Sequence, residues 1–487
     1  MKQLSLPGLH PARITRLNDK EARPQGSYVL YWVQRAQRSE DNHALEYAIA
    51  WANALSVPMV ACFGLTTGYP EANLRHYAFL LEGLRDLRRG LEERGVGLVC
   101  AWGSPPDVAL RMAENAALVV TDGAYLYHLR TWRARVARES PCRVDLVETD
   151  LVVPVRQASD HREYAARTIR KKLMAQVPEL AHLPEHQGPD HPSLEMVRRI
   201  LAPGAQRSKE RRGLEPVASL DLDKVSSHLE VDTTVRPVST WFVGGQTEAL
   251  HRFGSFLAER FADYDDRRNH PGEDATSGMS PYLHFGHVSP IRLVIEAEEA
   301  RGTVPSGNVD TFVEELVVRR ELAYNYCYYT RDYASYESLP DWARSTLAGH
   351  KGDERPAVYN EATLEAAETH DDYWNAAMTE MKITGSMHNY MRMYWGKKIL
   401  EWSSDPKAAF ETTLRLNNKY FLDGRDANSF ANVGWIFGLH DRPWPERAIY
   451  GKVRTMTASG LERKTDIGSY VLKVRRLAEE APERLPD

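Results

Sequence analysis

The amino-acid sequence predicts two bodies of different class: an N-terminal α/β body over 26–150 built on a parallel sheet, and an all-α body over 241–470. Three observations predict them. Short apolar runs alternate with helical stretches in the first part, and helical periodicity replaces that alternation in the second. A chain of 487 residues also exceeds what one ordinary core accommodates.

In the first part the apolar runs fall at 28–33, 58–65, 97–101, 118–121 and 144–147, with helical stretches at 41–55 and 71–94 between them. Runs with so little polar alternation suit strands covered on both faces, as in a doubly wound parallel sheet. Asp41 or Asn42 is suited to cap the first helix. The turn after the first run reads Gln34-Arg35-Ala36-Gln37-Arg38-Ser39-Glu40 and contains no glycine. It lacks the G-x-G-x-x-G pattern that lets a pyrophosphate approach the backbone, so a dinucleotide is not expected there in the usual manner. Residues 1–25 read as an aperiodic leader. Residues 151–240, rich in Pro, His, Gly and charge at 178–216, read as a surface linker, and 471–487 as a tail. In the second body, helices are expected at 246–264, 309–329 and 374–402.

Composition excludes several classes. No apolar run approaches the roughly 20 residues of a membrane span, and the N-terminus lacks the apolar stretch of a secretory signal. The four cysteines are scattered without CxxC pairing, which argues against a disulfide framework or a zinc site and fits a reducing, cytoplasmic setting. A net charge of -5 does not point to nucleic acid, because local clusters decide that question.

Four segments could carry chemistry. Arg267-Arg268-Asn269-His270-Pro271, then Thr276-Ser277-Gly278-Met279-Ser280-Pro281, offers hydroxyls and free N–H groups suited to a phosphate, although an ordinary capping turn has the same look. On the helix through 312–326, Glu315 and Arg319 stand at i and i+4, the spacing of a surface ion pair. Between Trp374 and Trp402 lies an aromatic and Met-rich stretch in which Arg392 requires an anionic partner. Trp395 and Trp402, seven apart, share a helix face, whereas Gly385 separates Trp374 from them. Finally, 415–428 is a dense polar segment, and 441–464 carries six Lys/Arg against three Asp/Glu with Trp444 interleaved, a pattern suited to a phosphate backbone and exposed bases.

Together, the segments at 34–42, 276–286, 315–325, 387–395 and 423–426 resemble the class II cyclobutane pyrimidine dimer photolyases of the photolyase/cryptochrome superfamily, over about 27–470. The resemblance implies a Rossmann-like antenna domain joined to an all-α FAD-binding domain, and light-driven repair of pyrimidine dimers by electron transfer from excited FADH⁻ to a flipped-out lesion. It implies that Tyr264 and Thr276, Ser277, Gly278, Met279 and Ser280 hold the phosphates and ribityl chain, with Asn389, Arg392, Asn417, Asp423 and Asp426 completing the cofactor site. Asn417 would lie beside N5, and Arg392 and Asp423 would pair beside the ring. Glu315, Asn269, Met393 and Trp435 would meet the lesion, with Arg268 and Arg442 near the DNA. Trp395, Trp374 and Trp402, in that order outward, would form an electron-hopping chain with Tyr359 as auxiliary. The resemblance further implies a monomer acting on damaged DNA, without metal or membrane. An antenna chromophore of the 8-hydroxy-deazaflavin type is favoured over a folate. The stacking tryptophan that some relatives carry near Glu315 is missing, since Val318 and Arg319 stand there. The alternatives are a cryptochrome-like blue-light receptor and a (6-4) photolyase, which would want two pocket histidines, His388 being one candidate; a pure DNA-binding module would not need Arg392, Asn417 and Asp423.

Overall fold

The computed structural model describes residues 4, 6–202 and 213–481. Five apolar runs become the parallel centre of a seven-stranded sheet ordered β1-β6-β5-β2-β3-β4-β7. These central strands are β2 (Tyr28–Trp32), β3 (Met59–Leu65), β4 (Gly97–Trp102), β5 (Ala116–Asp122) and β6 (Arg143–Val147). Nearly every residue in them is buried, because helices pack on both faces. Asn42 rather than Asp41 caps the helix His43–Leu55, accepting from the Leu45 amide at 3.2 Å.

The sheet's edges come from segments that carry no strand signal. β1 (Ile14–Arg16), inside the expected leader, pairs antiparallel with β6, aligning Ile14 with Val147. The neighbouring Arg13 is buried and donates to the carbonyls of Leu151, Val152 and Leu180. β7 (Glu215–Pro216) pairs with β4 from within the expected linker. Strands of three and two residues are too short to show a period, which is why the sequence reading passes over them. The same linker carries the short helices Val155–Ala158, Ala166–Met174 and Val177–Leu180. Their Ile169, Leu173 and Leu180 join the apolar core of the helical body, so this stretch is more than a surface connector. At the other end, the helix Ile467–Glu480 runs across the expected tail boundary. Its Tyr470 and Val474 are buried, and the Tyr470 hydroxyl donates to Glu380 at 2.6 Å.

The two bodies meet at the C-terminal ends of the strands. Arg35, in the turn after β2, reaches the Tyr324 hydroxyl at 2.8 Å, Asp150 at 3.1 Å and Asp426 at 3.3 Å, all buried. Asp426 also meets His284 at 3.1 Å. Burial alone would raise the Asp426 carboxyl, but the His284 hydrogen bond and the Arg35 charge outweigh it and hold the group well below the usual range. Backbones touch here too: Gly286 has φ +71°, and a Cβ on it would lie 1.6 Å from the Arg35 carbonyl oxygen.

Removing Arg35 would leave Asp150 with only the longer contact to Arg320 at 3.7 Å and Asp426 with only His284 at 3.1 Å, both still buried. Arg35→Ala is therefore expected to lower stability by about 3–5 kcal/mol. Denaturant unfolding measures this, and an unchanged midpoint would contradict the role given to the joint.

Candidate active site

The expected tryptophans do converge. The helix Asp372–Thr384 is capped by Asp371, which accepts from the Trp374 amide at 3.0 Å. Gly385, at φ +72°, ends that helix and lets the chain turn into the helix Asn389–Glu401. The turn brings Trp374 against Trp395 with rings nearly parallel and 6.4 Å apart. The Trp374 indole N–H donates to the Trp395 carbonyl at 2.9 Å. Trp402 meets Trp374 edge-on at 5.6 Å, and Tyr359 meets Trp402 at 5.3 Å. All three indoles are fully buried, Trp402 included, so the outer end of the row is Tyr359, which is half-buried.

Arg392, one turn before Trp395, has the anionic partner it requires. Its guanidinium meets Asp423 at 3.1 Å, donates to the Met387 carbonyl at 3.1 Å and lies 3.8 Å over the Phe421 ring. Trp395 packs against the same ring at 6.4 Å. Asn417, almost wholly buried near the end of the helix Pro406–Tyr420, donates to Asn418 at 3.1 Å. Asn418 in turn fixes the following loop by accepting from the Arg425 amide at 2.9 Å. Gly424 lies so close that a Cβ there would meet the Asn417 carbonyl oxygen at 2.9 Å.

On the opposite wall the expected Glu315–Arg319 pair does not form. Residues Glu314–Arg319 make a π-helical turn, whose wider i→i+5 repeat aligns Glu314 with Arg319 at 2.9 Å. Glu315 is thereby turned toward Arg268, which it meets at 2.6 Å. Arg268 lies 5.6 Å over the ring of Tyr264. Burial pushes the Tyr264 phenol up to about 12 against the pull of Arg268, so it is a neutral donor at ordinary pH. Tyr264, Met279, Leu316 and Leu422 share one buried apolar cluster, which brings the segments at 264, 276–280, 315 and 423 around a common core. Arg252, which sequence reasoning missed, approaches the Gly278 turn: its side chain lies 3.6 Å from where a Gly278 Cβ would be, and its buried Nε has no partner among the described residues.

A cluster of basic and aromatic side chains packs beside the helix that carries Trp395. Trp435 is half-buried between the Lys397 ammonium at 5.1 Å and the Arg454 guanidinium at 5.6 Å. Arg454 also covers Trp444 at 4.3 Å, and Arg442 covers it at 5.4 Å. Burial draws the Lys397 ammonium down to about 7. Asn269 and Asn389 are exposed, and Met393 is half-buried on the helix bearing Arg392. Asp426 stands apart from the expected cofactor set, because its carboxylate is taken up by Arg35, His284 and the cap of the helix Ala427–Ile436.

A second cleft opens over the C-terminal ends of β2 and β3, the side of such sheets where ligands usually lie. Gln34, Tyr69, His76, Trp132 and Arg425 line it. Both amide atoms of Gln34 and two nitrogens of Arg425 are buried there without partners among the described residues. Arg425, at φ +66°, lies 5.5 Å over the Tyr69 ring. The glycine-free turn after β2 supplies Gln34, Arg35 and Gln37 to this cleft, but nothing in its spacing marks it as a ligand site.

Comparison with known proteins is consistent with this architecture. A model of the DNA photolyase family matches residues 29–190. The chain is 44% identical over 472 residues to a deoxyribodipyrimidine photo-lyase from Methanothermobacter thermautotrophicus, covering 97% of this chain and 100% of that one. It is 37% identical over 461 residues to a deoxyribodipyrimidine photo-lyase from Potorous tridactylus, covering 94% and 83%. Among solved structures, a bacterial class III photolyase from Agrobacterium tumefaciens shares the fold at a TM-score of 0.67, with 17% identity over 94% of this chain and 90% of that one. With the fold shared and 44% identity over 97% of its length, the chain belongs to the DNA photolyase family.

Proposed function

We propose that this protein is a light-driven photolyase of the class II type that splits cyclobutane pyrimidine dimers in DNA and uses reduced FAD. The observation that carries the reading is the Arg392–Asp423 pair beside buried Asn417, backed by the row of Trp395, Trp374 and Trp402. The residues fit the cofactor. Arg252, with an unpaired buried Nε beside the Gly278 turn, adds a cation where Tyr264 and 276–280 would hold phosphates and the ribityl chain. Arg392 and Asp423 would flank the ring, with Asn389 at its rim and Asn417, able both to donate and to accept, at N5. When bound, FADH⁻ supplies the photoexcited electron that opens the dimer.

The chain's own work is to hold, extrude and stack. Photolyases are a recognised case of enzymes that flip their target out of the helix, at about a few kcal/mol of unstacking. Stacking on Trp435, worth about 1–3 kcal/mol per base, offsets that cost. Glu315, freed from Arg319 by the π turn, is positioned to hydrogen-bond the extruded bases beside Asn269 and Met393. Arg268, Arg442 and Arg454 supply positive charge along the strand's path. A hole arriving at Trp395 can move outward through Trp374 to Trp402 and Tyr359 over ring contacts of 6.4, 5.6 and 5.3 Å.

The cleft over the ends of β2 and β3 is proposed to hold an antenna chromophore. The unpaired nitrogens of Arg425 and the unpaired amide of Gln34 suit a flat heteroaromatic bearing an ionised hydroxyl, which favours the 8-hydroxy-deazaflavin type over a folate. Among the described residues no helix is long and apolar enough to cross a membrane, and the protein is proposed to act on DNA as a cytoplasmic monomer.

Repair of dimer-containing DNA under blue light and not in darkness tests the proposal; a flavoprotein that binds DNA without repairing it would favour the light-receptor reading. Glu315→Ala should lower repair yield at least about tenfold, the worth of a charged hydrogen bond, while FAD stays bound; release of flavin instead would move Glu315 to the cofactor. Trp435→Ala should weaken binding of dimer-containing DNA by about 1–3 kcal/mol, and an equal loss on undamaged DNA would refute a stacking role. Removing both Arg442 and Arg454 should reduce the salt slope of DNA binding by about 2, near one per phosphate contact, as read from titrations at several ionic strengths.

A further inference from the structure

We propose that His350 is a positioning residue for damaged DNA: through Asp353 and Glu446 it ties down the segment 441–454 and so sets Arg442, Trp444 and Arg454 in the shape that receives the strand. The proposal rests on the DNA-binding role given above to that segment.

The segment contains no helix. Two backbone bonds close it, from the Trp444 amide to the Lys452 carbonyl at 2.8 Å and from the Arg447 amide to the Gly451 carbonyl at 2.9 Å. Its anchors lie on a neighbouring turn. His350 follows directly on the helix Asp341–Gly349, whose carbonyl end favours a cation. Its Nε2 meets Glu446, on the outgoing limb of the segment, at 2.9 Å, and its Nδ1 meets Asp353 at 2.6 Å. The same Asp353 oxygen accepts the amide of Ile449, on the returning limb, at 2.8 Å. Ile449 has φ +70°, a conformation that β-branched side chains rarely adopt. Gly451, at φ +52°, passes so near that a Cβ on it would lie 2.8 Å from the His350 ring. The Lys452 amide donates to the Thr346 hydroxyl, on the helix before His350, at 3.0 Å. Both limbs are therefore clamped, and beyond the second Arg454 returns to Asp441 at 3.3 Å.

This geometry requires a charged ring. Both nitrogens of His350 face carboxylate oxygens, and a neutral imidazole has a single N–H to donate. The hydrogen bond to Asp353, and then that to Glu446, raise the His350 pKa above the ordinary histidine value. The Ile449 amide, then His350 and more weakly Arg355, hold the Asp353 carboxyl below its usual range. Arg355 stands behind the turn, donating to the carbonyls of His350 at 3.1 Å and Asp353 at 2.5 Å, while Lys351 pairs with Asp405 at 3.4 Å. Because folding raises the His350 pKa, the clamp is complete below about 6.5, the value of a free histidine, and is lost as pH rises through the raised value.

Binding of a dimer-containing oligonucleotide to FAD-loaded protein tests the proposal, measured in darkness at fixed ionic strength from about pH 6 to about pH 9. Wild-type affinity should fall as the pH rises through the His350 titration. His350→Gln keeps a donor but no charge; it should bind about tenfold more weakly at the acid end and lose that pH dependence. Glu446 is 57% exposed, so Glu446→Gln spares the fold. That variant should also bind more weakly, with the midpoint of its profile moved to lower pH. Wild-type affinity and profile in both variants, alongside weakened binding in Arg442→Ala, would overturn the clamp alone. Weakened binding that keeps the wild-type pH profile would overturn it as well. Undiminished binding when Arg442 and Arg454 are both replaced by Ala would remove the segment from the DNA site, and the proposal with it.

Discussion

Everything in this molecule is referred to a buried arginine at the seam of its two bodies. Arg35 stands at the end of the first parallel strand and is held by Asp150 from its own body and by Tyr324 and Asp426 from the other. A guanidinium so placed cannot shed its charge, so the carboxylates around it are fixed in number and position. The constraint is doubled by Gly286, whose missing side chain lets the two backbones touch. The loop that carries Asp426 also carries Asp423, so the seam and the pocket are built from one short stretch of chain.

That stretch explains why the site is compact. Asp423 faces Arg392, Arg425 faces the cleft over the ends of β2 and β3, and Asp426 closes the seam. Asn418 ties the loop down from behind, through its bond to the Arg425 amide and its contact with Glu71 at 2.7 Å. Resemblance alone assigns both aspartates to the cofactor. In the fold, Asp426 is held by a cap, a histidine and an arginine, whereas Asp423 pairs with Arg392.

Much of this was legible from the residues. The five central strands announce themselves because both faces are covered, and the need of Arg392 for an anion is answered by Asp423. Trp395 and Trp402 were placed on one face by their spacing alone. Other features leave no local mark. A strand of two or three residues has no period, so β1 and β7 vanish into segments that look like leader and linker. A π turn reads as an ordinary helix, and the one extra residue in its repeat exchanged the partners of Glu314 and Glu315. The second cleft and Arg252 depend on chain crossings that no spacing encodes.

Arg425 and Asp423 are separated by one residue, so the backbone between them spans at most about 7 Å. Light gathered by a dye lying against Arg425 would cross to a ring lying against Asp423 by dipole coupling, which depends steeply on separation and relative angle. A flexible hinge between two such absorbers would smear both quantities over the population. Because Arg425 and Asp423 are tied by covalent bonds and a charge-locked seam, two absorbers held against them would keep a narrow range of transfer geometries.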